Sequence, residues 1–340
     1  MTAELAADFL VDVVGRLSPD SDPAPIRAMV GRACGGQLKA RAPDGRRACG
    51  LTASGVPFEA SVSGGRGNLT PAIRYTTETA TQETEFGTRV AAQRDAIRDL
   101  VAWLPGGGQT VTDMLWSFIS ALYPEPATLT GRYRSATWIG VVQDISAPHH
   151  AIRLKVYGFP HIVPGALTRL CSEWPGFAGL VSLPEDEKLF EQAFLALEVD
   201  ADGGVHHKVY LRARRYDVAV PMLLIRYFGD PAWQLLSELV RCGADAAELH
   251  QHRYFVCCAR GAGEPVFTLH MGAGRREDLT GLARELASRH HGTTHGVDTL
   301  ARAAESSGAG WRYSAIGLGF SNTHGIDKLN VYGTPFWNAA

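Results

Sequence analysis

Pairs of strand-like segments recur at a nearly constant spacing along this chain. In each pair, two runs of alternating apolar and polar residues are joined by a turn containing Gly, Asp or Asn, and helical patterning follows. Matching positions in the second runs lie 53, 60 and 62 residues apart, at Tyr157, Tyr210, His270 and Tyr332. A repeat of this size, with two strands and one or two helices in each unit, is typical of a closed repeat architecture.

The strand pattern predicts five hairpins, and therefore ten antiparallel strands. They are placed at 47–63 and 69–77, 137–145 and 151–159, 194–199 and 206–213, 253–259 and 265–271, and 311–320 and 328–332. Closing ten strands into a barrel removes the unpaired edges, and a barrel of that width encloses a cavity. The sequence thus predicts an α+β fold, a ten-stranded antiparallel β-barrel enclosed by a ring of α-helices. An open α+β sheet is the alternative.

Helical periodicity fills the intervals between the predicted hairpins. It indicates helices at 3–17, 25–34, 87–104, 111–122, 164–174, 231–241, 276–290 and 297–305. We expect residues 1–45 to form an N-terminal helical segment, 46–335 to hold the five repeated units, and 1–340 to be a single domain.

Composition and charge narrow the classes of function. Hydrophobic residues make up 45% of the 340 residues, and the formal net charge is −2, which argues against a nucleic-acid or membrane-surface binder. No stretch is long enough for a transmembrane helix, and the N-terminus lacks the features of a signal peptide, so a cytoplasmic location is expected. Six scattered cysteines without a CxxC pair predict reduced thiols, and the absence of His-Glu-x-x-His argues against a zinc hydrolase.

A cation and a tyrosine recur on one face of three predicted strands. The pairs are Lys155 with Tyr157, Lys208 with Tyr210, and Lys328 with Tyr332. Residues two or four apart in a strand share a face, so these groups line the barrel lumen if that face points inward. Ordinary solvent-facing strands are the alternative interpretation.

Several cations inside one cavity repel each other unless an anion binds among them. Arg74 and His270 fall on the same predicted face. Arginine and lysine suit a diphosphate, and tyrosine rings can shield a cation. This combination indicates a site that ionises an allylic diphosphate and protects the carbocation from water. The chain has no Asp-Asp-x-x-Asp cluster to hold magnesium, so the cations would have to neutralise the leaving group without metal.

Short blocks of the sequence resemble a known family. Residues 55–62 (Gly-Val-Pro-Phe-Glu-Ala-Ser-Val), residues 71–78 (Pro-Ala-Ile-Arg-Tyr-Thr-Thr-Glu), two Lys-Val-Tyr segments and Val331-Tyr332 are similar to blocks of the ABBA-fold aromatic prenyltransferases, in particular the bacterial dimethylallyltryptophan synthase type. The resemblance implies transfer of a dimethylallyl or longer prenyl group from its diphosphate to an indole or tryptophan-derived acceptor, in secondary metabolism such as alkaloid biosynthesis. It implies small-molecule partners, no nucleic-acid or membrane partner, and no required cofactor, with magnesium not essential.

The resemblance also implies a role for each matching residue. Glu59 would be catalytic: it would accept a hydrogen bond from the indole N–H and assist proton removal. Trp138 would line the acceptor pocket beside it. Diphosphate binding would involve Arg74, Lys155, Lys208, His206, Thr268 and His270, and the cation shield would comprise Tyr157, Tyr210 and Tyr332. His206, His270 and Trp138 stand where the family often has arginine, tyrosine and lysine, so the acceptor remains open between an indole, a phenol and a peptide side chain. A non-catalytic barrel that binds an anionic or aromatic ligand is the other alternative.

Overall fold

The strands of this protein form one sheet whose two edges meet. The computed structural model describes residues 2–36, 38–131, 133–147, 151–181, 190–213, 217–261, 266–273 and 278–337. The strands are β1 (Phe58–Gly65), β2 (Asn68–Leu69), β3 (Ala72–Thr77), β4 (Thr137–Asp144), β5 (Ala151–Gly158), β6 (Phe190–Asp200), β7 (Val205–Ala213), β8 (Arg253–Arg260), β9 (Val266–Gly272), β10 (Gly310–Ser321) and β11 (Gly325–Phe336).

Closure of the barrel depends on the pairing of β1 with β11. Neighbouring strands pair antiparallel around the sheet, and β1 meets β11 in a register that sets Ser61 opposite Tyr332. The two-residue strand β2 pairs only with the end of β1, at Gly64 and Gly65. The predicted closed barrel of ten long antiparallel strands is therefore confirmed, and no edge of a long strand is left unpaired in the described sheet.

Helices lie before the first hairpin and between successive hairpins, and they cover the outside of the barrel. They are α1 (Ala3–Leu17), α2 (Pro23–Cys34), α3 (Phe86–Val101), α4 (Gln109–Leu122), α5 (Ala166–Glu173), α6 (Pro175–Val181), α7 (Val220–Arg241), α8 (Thr280–His290) and α9 (His295–Ser306). Thr2 caps α1 by accepting a hydrogen bond from the Leu5 amide, and Asp22 caps α2 in the same way through Ala24. Residues 265 and 276–277, at which the predicted strand 265–271 and the predicted helix 276–290 begin, lie outside the described ranges.

Two predicted boundaries are wrong for identifiable reasons. The strand expected at 47–63 begins at Phe58, because Gly55 adopts a left-handed φ of 89° and Pro57 follows it. The helix expected at 231–241 is the second half of α7, which starts at Val220 and kinks at Gly229 (φ 61°) just before Pro231. The pattern predicts several helical stretches after the third hairpin, of which 231–241 is one. Proline at the start of a helical pattern resembles an N-terminus, so the two halves of α7 were not joined.

Alternation along the strands separates the core under the helices from the lumen. On β1, Phe58, Ala60 and Val62 are fully buried beneath the helical layer. The Phe58 ring packs edge-on against Phe9 of α1, with 6.2 Å between the ring centroids, and Phe9 stacks on Trp311 at 5.5 Å. The residues of opposite parity point into the barrel, and they form the candidate site.

Candidate active site

Cations from four strands converge in the lumen. Arg74 lies on β3, Arg153 and Lys155 on β5, Lys208 on β7 and Lys328 on β11. The register places Val142 opposite both Arg74 and Arg153, and places Ala196 opposite both Tyr157 and Lys208. We call these five residues the cation cluster. The structure thus brings together the three cations that the sequence predicted for a diphosphate, and adds Arg153 and Lys328.

A small cavity lies against the cation cluster. It is lined by Ser61, Arg74, Tyr75, Thr76, Gly140, Val141, Val142, Arg153, Lys155, Tyr157, Glu198 and Tyr332. Two of the three predicted shield tyrosines therefore face the same space as the cations.

Glu198 on β6 is the carboxylate that joins the lysines of the cluster. Its Oε2 lies 2.9 Å from Nζ of Lys155, and its Oε1 accepts a hydrogen bond from Lys208 at 2.7 Å. Burial raises the pKa of Glu198, but Lys155, Lys208 and then Arg153 outweigh it and hold that pKa well below its ordinary range. A buried carboxylate between two ammonium groups stays ionised and fixes both of them in place.

Lys328 is the most perturbed cation of the cluster. Burial, followed by the charges of Arg74, Lys208 and Arg153, lowers its pKa to about 7. Burial and the neighbouring Lys155 also lower the pKa of Lys208, against the opposing effect of Glu198. Positive charge exceeds negative charge in this part of the described lumen, so the lumen favours an incoming anion.

Arg74 is oriented by a polar neighbour. Its guanidinium donates a hydrogen bond to the Asn330 side chain on β11. Ser61 stands opposite Arg74 on one side and opposite Tyr332 on the other, so all three share the lumen face at one level. The arginine therefore lies between the cation cluster and the tyrosine layer.

Aromatic rings form a layer next to the cation cluster. Tyr157 and Tyr210 lie 5.8 Å apart, and Phe194 stacks on Tyr210 at 4.4 Å. The ammonium of Lys155 lies 5.5 Å from the centre of the Tyr157 ring. Burial raises the pKa of Tyr157 to about 12 and raises the pKa values of Tyr210 and Tyr332, so these phenols remain neutral and present π-electrons to the lumen.

The three other residues predicted for diphosphate binding have different surroundings. The ring of His270 lies 5.7 Å from that of Tyr332, and burial together with nearby cations, Lys155 foremost, lowers its pKa to about 3, so the imidazole is neutral. Gly319 stands opposite both Thr268 and Lys328, which puts Thr268 beside the cluster. His206 stands opposite Glu198, yet its Nε2 lies 3.3 Å from Asp200 at the β6–β7 turn.

Glu59 on β1 lies on the lumen face and contacts Ser314 of β10. The Ser314 hydroxyl donates a hydrogen bond to its Oε1 at 2.5 Å. Burial raises the pKa of Glu59 to about 7, and the hydrogen bond from Ser314 opposes that rise. A carboxylate near its pKa at neutral pH can accept a proton, as a general base requires.

Trp138 on β4, predicted for the acceptor pocket, forms a wall of the aromatic layer. Its indole N–H donates to the Ser135 hydroxyl at 2.9 Å, and its ring meets Phe159 at 4.8 Å and Phe194 at 5.1 Å. Because the indole N–H is already satisfied, Trp138 offers an incoming ring a surface rather than a hydrogen bond.

Three residues of this site were not predicted as ligands or partners. Alternation places Lys328 on the lumen face with Tyr332, as predicted, but gave it no role. Arg153 shares that parity, so alternation alone could have found it. Glu198 also has that parity, but its role depends on its position opposite Lys155, which only the register supplies.

Among the described residues, no three His, Cys, Asp or Glu side chains gather in a way that could hold a metal ion. No helix in the described part of the chain is long and apolar enough to span a membrane.

Solved structures of prenyltransferases share this architecture over nearly the whole chain. The 5-dimethylallyltryptophan synthase of Streptomyces coelicolor is 17% identical, over 98% of this chain and 97% of that chain, with a TM-score of 0.71. The prenyltransferase PriB, solved as a ternary complex with L-tryptophan and dimethylallyl thiolodiphosphate, is 17% identical over 99% of both chains, with a TM-score of 0.72. The 6-dimethylallyltryptophan synthase of Micromonospora olivasterospora is 18% identical over 96% of both chains, with a TM-score of 0.66.

These likenesses show that the chain has the ABBA barrel fold of those proteins. No protein-family profile and no curated protein sequence matches the chain.

Proposed function

We propose that this protein is a prenyltransferase that moves a dimethylallyl or longer prenyl group from its diphosphate to the indole of tryptophan or of a tryptophan-derived compound. The observation that carries the proposal is the convergence of Arg74, Lys155 and Lys208 in a closed lumen, next to a layer of neutral tyrosines. A fold alone does not define an activity, so the proposal depends on these side chains.

The cation cluster is suited to the diphosphate of the donor. Arg74 supplies a planar fork, while Lys155 and Lys208 act as point charges already placed by Glu198. As the allylic C–O bond breaks, the bonding electron pair leaves with the diphosphate, and the fixed cations stabilise the growing negative charge. Because lysine and arginine can neutralise this leaving group, we propose that the reaction needs no magnesium.

The aromatic layer is suited to the allylic cation that remains. Tyr157, Tyr210 and Tyr332 have raised pKa values and stay neutral, so they add no charge that would combine with the cation. Their ring faces attract positive charge and exclude water, which would otherwise capture the cation as an alcohol.

Glu59 is suited to the acceptor and its proton. A ring carbon of the indole attacks the allylic cation and forms a C–C bond, and the ring then loses the proton at that carbon. The Glu59 carboxylate accepts a hydrogen bond from the indole N–H, which raises the nucleophilicity of the ring, and it assists removal of the displaced proton. Trp138, with its own N–H bonded to Ser135, provides an apolar wall beside this position.

The solved relatives support the indole acceptor. PriB was solved with L-tryptophan and dimethylallyl thiolodiphosphate bound, and two further relatives are named as dimethylallyltryptophan synthases. We further propose that the chain acts in the cytoplasm. We also propose that it is a single domain, since the N-terminal helix α1 packs through Phe9 on both Phe58 and Trp311 of the barrel.

The proposal is tested by an acceptor screen. The protein is incubated with dimethylallyl diphosphate and a panel of indoles, phenols and short peptides, without added metal and with a chelator, and products are followed by mass spectrometry. We expect an indole, with L-tryptophan in first place, to gain one dimethylallyl group in exchange for hydrogen. Alkylation of phenols or peptides alone would overturn the indole assignment, and diphosphate binding without any alkylated product would indicate a binding barrel.

A further inference from the structure

A β-bulge interrupts the last hairpin of the barrel next to Glu59. Tyr313 of β10 stands opposite Gly333 of β11, but the next paired residue of β10 is Ala315, opposite Tyr332. Ser314 is therefore an extra residue in β10. The amide of Ala273, just after β9, donates to the Ser314 carbonyl at 2.9 Å and ties the bulge to the neighbouring strand.

The bulge determines which side chains of β10 face the lumen. Tyr313 points outward, where its hydroxyl donates to the Val297 carbonyl of α9 at 2.9 Å. Ala315 stands opposite Tyr332 and shares its lumen face. In a regular strand the residue next to Ala315 would point away from the lumen, whereas a bulge turns one additional side chain to the same side.

That additional side chain is Ser314, and its hydroxyl donates to Oε1 of Glu59 at 2.5 Å. Among the described residues, Ser314 is the hydrogen-bond partner that the structure gives to Glu59. The bond occupies one carboxylate oxygen and leaves Oε2 for another donor. We propose that Ser314 is a positioning residue that holds the Glu59 carboxylate ionised and aims Oε2 at the N–H of the acceptor; this inference rests on the proposed function.

Of the side chains around Glu59, Ser314 has the largest effect on the pKa of its carboxyl group, second only to burial. Among the described residues, the titratable and charged groups on neighbouring lumen faces include Arg74 of β3, Arg253 of β8, His270 of β9, Arg312 of β10 and Tyr332 of β11. Tyr332 and His270 are neutral because burial raises the pKa of the tyrosine and lowers that of the histidine. Burial raises the pKa of Glu59 to about 7, and the hydrogen bond from Ser314 opposes the rise. Loss of the hydroxyl should therefore raise this pKa further, by roughly one pH unit for a hydrogen bond to a charged group.

The test compares Ser314→Ala with Ser314→Thr, which keeps a hydroxyl at the bulge. The pH dependence of kcat/KM for prenyl transfer is measured from pH 5 to pH 9.5. We expect the acidic limb of Ser314→Ala to move up by roughly one pH unit, with a roughly fivefold to tenfold loss at pH 6.5 and near wild-type rates at pH 9. Ser314→Thr should keep the wild-type limb.

A second readout does not require activity. The ionisation of Glu59 is followed by infrared difference spectroscopy of the carboxyl band in the wild type, in Ser314→Ala and in Glu59→Gln, which identifies the band. An unchanged Glu59 titration in Ser314→Ala, or a uniform loss of rate at every pH, would overturn the role of Ser314. If the wild type transfers no prenyl group at any pH, the proposed function fails, while the infrared titration still decides whether Ser314 controls the Glu59 proton.

Discussion

The Glu198 carboxylate accepts a hydrogen bond from the Lys208 ammonium at 2.7 Å, inside a barrel lumen where Glu198 is 3% exposed. The same carboxylate lies 2.9 Å from Lys155, so one buried anion holds two cations at a fixed spacing. An incoming diphosphate is an anion as well, and it would both share these cations with Glu198 and be repelled by it.

Replacing Glu198 should therefore have opposite effects on stability and on anion binding. In Glu198→Gln the ammonium groups of Lys155 and Lys208 remain buried without their counter-charge, and removing one partner of such a pair costs about 3–5 kcal/mol. Loss of the negative charge should also tighten the binding of inorganic diphosphate. We expect a lower melting temperature for the empty variant and a larger rise on adding diphosphate than in the wild type, measured by differential scanning calorimetry.

Glu191→Gln is the matched control for this variant. Glu191 lies on the same strand, but it is exposed and pairs with Arg212 at the surface. The control should leave both melting temperatures nearly unchanged. A Glu198→Gln variant that melts with the wild type, or that gains less from diphosphate, would show that Glu198 does not balance the cluster.

Loss of a single cation should weaken the binding of diphosphate. In Lys208→Met, Glu198 keeps Lys155 as a partner, but one charge-assisted contact to the ligand disappears. We expect affinity for inorganic diphosphate to fall roughly 10- to 100-fold by isothermal titration calorimetry, as for a hydrogen bond to a charged group. Lys39→Met removes an exposed lysine outside the barrel and should change nothing; equal affinities in the two variants would contradict the predicted diphosphate site.

Glu59 should determine how the rate of prenyl transfer falls at acidic pH. Burial raises its pKa to about 7, so the carboxylate is increasingly protonated, and unable to accept a proton, as the pH falls through that value. We expect kcat/KM to fall below about pH 7, and Glu59→Gln to lose roughly 100- to 10,000-fold in rate while binding diphosphate like the wild type. Glu83→Gln, on the exposed surface, serves as the control. Normal prenylation by Glu59→Gln would show that the assignment is wrong.

Lys328 should make stability depend on pH. Its pKa is about 7 in the folded protein against 10.5 as the ordinary value, so between these values the unfolded chain binds more protons and stability rises with pH. The destabilisation by the buried ammonium is complete below pH 7. Lys328→Gln should therefore be more stable than the wild type at pH 6, and this advantage should shrink towards pH 10. Denaturant titrations at pH 6, 8 and 10 measure it; an advantage that grows with pH would contradict the burial of a charged Lys328.

Much of the fold and part of the site could be predicted from alternation alone. Lys155 and Tyr157 share a face because every second residue of a strand does, and the same rule placed Arg74 and Lys208. The barrel follows because ten strands with a polar inner face need to be closed. The start of β1 and the bounds of the first half of α7 were not predicted, because glycine and proline interrupt the pattern there.

The remaining site residues depend on information that a single strand does not contain. The role of Glu198 requires the register that sets it opposite Lys155. The contact of Ser314 with Glu59 joins residues 255 positions apart, and it arises only because a bulge reverses the expected alternation. His206 shows that strand parity alone can mislead. Its parity places it on the lumen face with the cation cluster, but its ring nitrogen contacts Asp200 in the turn of its own hairpin.

The most direct measurement of the central claim is a crystal structure of this protein with dimethylallyl thiolodiphosphate and L-tryptophan. We predict a diphosphate within hydrogen-bonding distance of Arg74, Lys155 and Lys208, a dimethylallyl group among Tyr157, Tyr210 and Tyr332, and an indole N–H directed at Glu59. A diphosphate bound away from these cations, or an indole whose N–H points away from Glu59, would contradict the account.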